Sequence, residues 1–490
     1  MDERLKAGPR SKLGRISIGL VALVAAGAVA PLATTSASAS TTSDWGSYLF
    51  TIGHSSDNVA DTAVTKANAG TLTEAWNFTP PGVQQFITSP TVVGGVVYIG
   101  ANNGNFYALD QSTGAVIWSR DIGTNGPKTT CGSRGFASTA TVADDPVTST
   151  ETVYVAASTG YLFAFNAATG ATIWQSVVGI PSTTVNNYFN WGAPQVANGK
   201  VYMGISSMCD QPLVQGGLIA VNQETGARVA TYYTVPAGAA NYGGSVWSSP
   251  AIGPNGDVYI TTGNGPASNP LLGTSESIVD LNGSTLKLKQ SWQIPAAQAK
   301  NVDSDFGASP TLFTAILPGT TTPTNMIGAC NKNGYYYALN RGDLAAGPVW
   351  SIKMGASPSA KTKSDECIGA AVFNGKDLFF GSQPTTIDGT AYNGSIRELN
   401  PATGAVIWAT GLPGDVDSPA SMDGAGVISV ATYDFSGAPN ADYLVNATTG
   451  AILATLSTGN SQVGSQPVFA ENDVLVATQF AGLYDYRLPA

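Results

Sequence analysis

The residues able to do chemistry in this chain are few and mostly acidic. One histidine, His54, occurs in 490 residues. A His-rich zinc site is therefore excluded, and a Ser-His-Asp triad would depend on His54 alone. His54 stands in TIGHSSDN, where a turn or cap role is expected. Asp303, Asp305, Asp365 and Glu366 offer carboxylates for paired acid–base work such as glycoside hydrolysis, but no spacing selects a pair. Asp303 and Asp305, in VDSDFGASPTLF (302–313), also suit turn capping. Asn264 beside Gly263 suits a left-handed turn, Lys332 in CNKNGYYYALN a hairpin tip, and Trp247 in SVWSSPAIG packing between sheets. What these residues do depends on what the fold brings together.

The elements that would position them repeat. An apolar strand, Asp or Asn, Thr-Gly and a second short strand recur as FYALDQSTGAVIW (106–118), LFAFNAATGATIW (162–174) and LIAVNQETGARV (218–229). The pattern returns as IRELNPATGAVIW (396–408) and YLVNATTGAIL (443–453). The glycines at 114, 170 and 226 lie 56 residues apart, a period that indicates radial repetition. Upstream strands such as VVYIGANNG and TVYVAASTG complete hairpins, and inner strands such as ITSPTVV make about four strands per unit. Final strands near Trp118, Trp174, Val229, Trp292, Trp350, Trp408 and Leu453 mark seven blades. The last strands, VLVAT and GLYDYRL, lack a partner that LTEAWNF (72–78) can supply. The expected fold is all-β: an eight-bladed β-propeller of four-stranded blades, closed by N- and C-terminal strands.

Composition agrees and narrows the partners. Only 11% of residues are charged and the net charge is −10, so nucleic acid and anionic membranes are poor partners. Arg4, Lys6, Arg10, Lys12 and Arg15 precede an apolar run over 16–30 and an Ala37-Ser38-Ala39 site. That pattern predicts a signal peptide over 1–39, a secreted protein, one domain over 40–490, and no stable membrane span after cleavage. Losing five basic and two acidic side chains would leave a charge of about −13. Four cysteines allow three connectivities; Cys131–Cys209 and Cys330–Cys367 are favoured because each pair falls in neighbouring repeats.

The AxDxxTGxxxW units, as in ALDQSTGAVIW, resemble the pyrroloquinoline quinone (PQQ) repeat family over nearly the whole chain after residue 39. The resemblance is nearest the polyvinyl-alcohol dehydrogenase-like branch of quinoprotein alcohol dehydrogenases. It implies an exported enzyme oxidising a small or polymeric alcohol with PQQ and Ca²⁺, passing electrons to a separate acceptor. By this resemblance Trp247 stacks beneath the quinone, Lys332 polarises a quinone carbonyl, and Asn264 contacts cofactor and metal. Asp305, with Asp303 second, takes the substrate proton, and Asp305 and Asp210 join Asn264 as metal ligands. The family's metal-binding Glu falls near Cys209, with Asp210 beside it, and no CxxCH haem site occurs. The family also contains a non-catalytic scaffold, so the alternative is a propeller that binds a polymer, glycan or protein.

Overall fold

A computed structural model describes residues 43–82, 85–125, 134–179, 187–239, 242–299, 303–355 and 367–489. The expected signal segment, Cys131, Asp365 and Glu366 lie outside these residues. Eight four-stranded antiparallel blades form an eight-bladed β-propeller. Blade 1 spans 91–121, blade 2 141–177, blade 3 195–233, blade 4 251–293, blade 5 311–353, blade 6 372–412 and blade 7 421–457. Blade 8 joins Val468–Ala470, Asp473–Ala477 and Leu483–Arg487 to Thr73–Phe78 from the N-terminal part of the chain. Thr73 pairs with Arg487 and Phe78 with Leu483, the closure expected from LTEAWNF.

The core is eight interfaces rather than one centre. Val153, Val155 and Phe165 of blade 2 pack on Tyr98, Phe106 and Trp118 of blade 1, whereas Tyr154, Ala156 and Leu162 pack on Val201 and Ile219 of blade 3. Side chains alternate between the two faces of a strand, and each blade is covered on both. This is why the middle strands read as nearly unbroken apolar runs.

The repeated phrase builds the seams. Asn166 Oδ1 accepts from the Thr169 amide and hydroxyl, which fixes the turn. Gly170 follows at φ 66°, and a Cβ there would lie 2.5 Å from the Trp118 ring of the preceding blade. Glycine alone meets both demands. The Trp118 indole donates to Ala167 O at 2.8 Å; Trp76, Trp174, Trp350 and Trp408 make the same bond across their own seams. The final strand of blade 4 ends near Trp292, as expected, but by register Gln290 occupies its docking position. Gln290 donates to Arg341 O at 2.8 Å and accepts from Leu344 N–H, doing for blade 5 what tryptophan does elsewhere. Blade 3 carries Ala230 at that position, and Leu286 stands where glycine is usual, at φ 53°, packing against Ala230.

A segment without repeat character lies along the axis. Trp45 exchanges backbone hydrogen bonds with Val92 of blade 1, and Gly46 O accepts from Val142 of blade 2. The carbonyls of Ile52, Gly53, Ser55 and Ser56 accept from Ile252, Leu312, Phe373 and Met422 of blades 4 to 7. Gln466 of blade 8 accepts from Leu49 N–H, and His54 meets Gln195 of blade 3 at 3.3 Å. His54 is fully buried, and burial lowers its pKa to about 4, with its Nδ1–Pro310 O contact opposing. Its backbone N–H donates to Thr51 O, closing a turn whose histidine is buried on the axis.

Candidate active site

The loops that enter the inner strands and those that leave the second strands converge at one end of the ring, around a cavity of about 800 Å³. Positions four residues before each inner strand line it: Ile87, Ala137, Trp191, Trp247, Gly307, Ile368, Asp417 and Gly464. One register thus sets eight positions at one level, filled by five residue types: Gly, Ala, Ile, Asp and Trp. Asp210, Asn264, Asp303, Asp305 and Lys332 line the same cavity, so every residue selected from the sequence for the site is brought together.

Backbone contacts explain the convergence. Gly263 N–H donates to Ser245 O and Gly244 N–H to Asn264 O, which joins the loops carrying Trp247 and Asn264. Lys332 N–H donates to Asp305 O, and Asn331 Nδ2 donates to Ser304 O, which holds the two loops of blade 5 together. Gly307 lies against the edge of Trp247, where a Cβ would collide with the indole.

Lys332 is the electrostatic centre. Its Nζ lies 2.9 Å from Asp303 Oδ1, 3.0 Å from Asp305 Oδ1 and 4.8 Å from the centre of the Trp247 ring. It is buried rather than a solvated hairpin tip. The Trp247 indole donates to Asp305 Oδ2 at 2.8 Å, fixing the carboxylate edge-on to the ring. Burial pushes the Asp305 carboxyl up to about 7, with Lys332 opposing and Asp303 and Asp210 adding to the rise. Burial acts the same way on Asp303, but Lys332 and Asn264 outweigh it and hold that carboxyl below its ordinary range. Two carboxyls two residues apart are thereby set to different protonation behaviour.

Asn264 ties in the third acid. Its Nδ2 donates to Asp210 Oδ2 at 2.9 Å and Asp303 Oδ1 at 2.8 Å, while its Oδ1 is buried without a hydrogen-bond partner. Asp210 Oδ1 accepts from Ser207 Oγ at 2.6 Å. Among the described residues no three His, Cys, Asp or Glu side chains gather into a metal-holding group. The oxygens here come from one amide and separate carboxylates, a hard donor set suited to an alkaline-earth cation. Cys330 and Cys367 are disulfide-bonded, as expected, and Cys209 is disulfide-bonded beside Asp210.

Three lining or neighbouring groups were missed. Arg134 lies 5.6 Å from the Trp191 ring, and its Nε and Nη1 are buried without hydrogen-bond partners. Trp191 holds the register position of Trp247 one blade earlier, so aligning the inner-strand entries would have found it. Glu276 is 2% exposed, in the turn just before the strand Ser277–Leu281, and its N–H donates to the O of Gly263 beside Asn264. Burial, then Asp305 and Asp303, pushes its carboxyl up to about 8. It lies in a turn within a stretch without charge pattern, and no local signal marks it.

Residues 54–369 match the family "PQQ: Glucose/ethanol/alcohol dehydrogenase, beta-propeller domain". The quinohemoprotein alcohol dehydrogenase ADH-IIG of Pseudomonas putida is 28% identical over 332 residues, 61% of this chain and 44% of that protein. Polyvinylalcohol dehydrogenase from Pseudomonas sp is 25% identical over 230 residues, 41% of this chain and 33% of that protein. The chain spans less than half the length of these relatives. The solved ADH-IIG structure superposes with a TM-score of 0.71 at 19% identity, covering 91% of this chain and 80% of that one. A europium-containing methanol dehydrogenase gives 0.72 at 17% identity, covering 91% and 98%. Both likenesses bear on the fold. No helix among the described residues is long and apolar enough to cross a membrane. With more than half of its residues matching the family's domain, the chain belongs to the PQQ β-propeller family of glucose, ethanol and alcohol dehydrogenases.

Proposed function

We propose that the chain is an exported quinoprotein dehydrogenase that oxidises an alcohol, small or polymeric, using PQQ and Ca²⁺. The observation that carries this reading is the convergence of buried Lys332 and Asp305 with half-buried Trp247 and Asn264 at one cavity. Bound PQQ would supply the two-electron acceptor for hydride leaving the alcohol carbon. Trp247 offers an indole face to a planar ring, and Lys332 and Arg134 offer positive charge to its carbonyl and carboxylate oxygens. The buried Asn264 Oδ1, with Asp210 and Asp305, suits Ca²⁺.

Asp305 is the proton acceptor in this reading. Its carboxyl titrates near 7, so at neutral pH a useful fraction is ionised and able to take a hydroxyl proton. Asp303 stays ionised, paired with Lys332, and orients that ammonium. The 490 residues contain no CxxCH motif, so a separate acceptor would take the electrons. One observation favours the alternative of a non-catalytic propeller binding a polymer, glycan or protein: Cys209 stands, oxidised, where the resemblance expects a metal-binding Glu.

Titrating the purified protein with PQQ and Ca²⁺ decides between them. Saturable absorbance change and thermal stabilisation at about 0.1 mM of each is expected. Their absence would sink the dehydrogenase reading.

A further inference from the structure

We propose that residues 45–56 form an axial lock, a single segment that couples the opening of the eight blades. In a propeller the innermost strand of each blade turns an unpaired edge toward the axis. Here carbonyls at positions 46, 52, 53, 55 and 56 each accept from a different blade, and Leu49 N–H donates to Gln466 Oε1 of another. Withdrawing the segment would unpair all these groups at once. Tyr48 of the segment lines the cavity, so the same chain that pairs the inner strands contributes one side chain to the cavity's wall.

The segment's conformation is imposed by the ring. Leu49, Phe50, His54 and Ser56 all take left-handed backbone angles, φ 61°, 69°, 66° and 52°. Bulky residues seldom adopt that region without surrounding constraint. Trp45, Leu49, His54 and Ser56 are fully buried, and Gln466 Nε2 clamps Ser56 Oγ and Ala420 O at 2.9 Å each. A strap that needs every blade in place, and that every blade needs, links the blades' local openings into one event.

Hydrogen–deuterium exchange of the whole protein across sub-denaturing urea tests this. Peptides carrying Val142, Ile252, Leu312, Phe373 and Met422 are expected to lose protection along one common urea dependence. Gln466→Leu, which removes the acceptor for Leu49 and the donor to Ser56, is expected to speed exchange in all five by about tenfold or more. The outer strands carrying Trp174 and Trp350 should keep their protection. Separate urea dependences for the five peptides, or an effect of Gln466→Leu confined to blades 7 and 8, would overturn the lock. If that variant does not fold, the urea series on the unaltered protein decides alone.

Discussion

The rim and the axial mouth of this ring use the same repeat in opposite ways. At the rim one solution recurs: Trp118, Trp174, Trp350, Trp408 and Trp76 each place an indole on the next blade's turn. At the mouth one position, four residues before the inner strand, holds eight side chains from Gly to Trp. Sameness fastens neighbours that meet identical neighbours, and difference assembles a site at the one place where all blades meet. Family membership is therefore written at the rim, while chemistry depends on the deviations.

The two regions should separate under mutation. The largest expected effect is at the mouth: Asp305→Asn should lower dye-linked alcohol oxidation about 10²–10⁴-fold while the circular dichroism melt stays near that of the parent. Unchanged turnover would remove Asp305 from the base role. At the rim, Trp118→Ala should cost about 3–5 kcal/mol in urea denaturation, since it empties the seam against Phe106 and Phe165 and removes the indole hydrogen bond to Ala167 O. Its PQQ affinity in the folded state should be unaltered. A matching loss of affinity would erase the distinction between rim and mouth.

Two buried acids sharpen the contrast. Asp442, inside blade 7, is pushed up to about 7 by burial, with Ser429 opposing. Its folded carboxyl binds a proton more tightly than the unfolded one. Stability contributed by that proton is present below the ordinary value of 3.8 and is lost as pH rises toward 7. Asp442→Asn should flatten that decline and leave the variant about 1–3 kcal/mol more stable than the parent at pH 8, read from melts across pH. Asp305 shares the value but has Lys332 beside it, so Lys332→Met should move the alkaline-rising limb of kcat/KM upward by about 1 pH unit. An unmoved limb would show that another group sets it. The smallest effect is expected from Gln290→Ala, about 1–2 kcal/mol, because three hydrogen bonds, with Asp280, Arg341 and Leu344, are lost there without an aromatic cavity.

Most of the ring was legible because Thr-Gly turns and apolar alternation are local. At blade 4 the tryptophan that marks the final strand, Trp292, is not the docking residue; only strand register shows that Gln290, two residues earlier, takes that place. Asp210, Trp247, Asn264, Asp303, Asp305 and Lys332 could be named from resemblance, yet nothing local fixed their protonation. The split between Asp303 and Asp305 arises from unequal burial around one ammonium. The axial segment was illegible because its partners, from Val92 to Gln466, are scattered through the chain and meet it mainly through backbone atoms. Backbone pairing leaves little trace in side-chain pattern.

The seam in blade 8 has a consequence for the order of events in time. Asn77 donates to Ala481 O across 404 residues of sequence, and Thr73–Phe78 finds its partner only in Leu483–Arg487. A strand made near the beginning of synthesis must wait for one of the last to be made, while seven blades accumulate between them. Such long-range closure is slow, and until it occurs the ring carries two unsatisfied edges open to other chains. A chain cut short before residue 483 would hold seven complete blades and two orphaned strands, Thr73–Phe78 and Asp473–Ala477, each with an edge open to another chain.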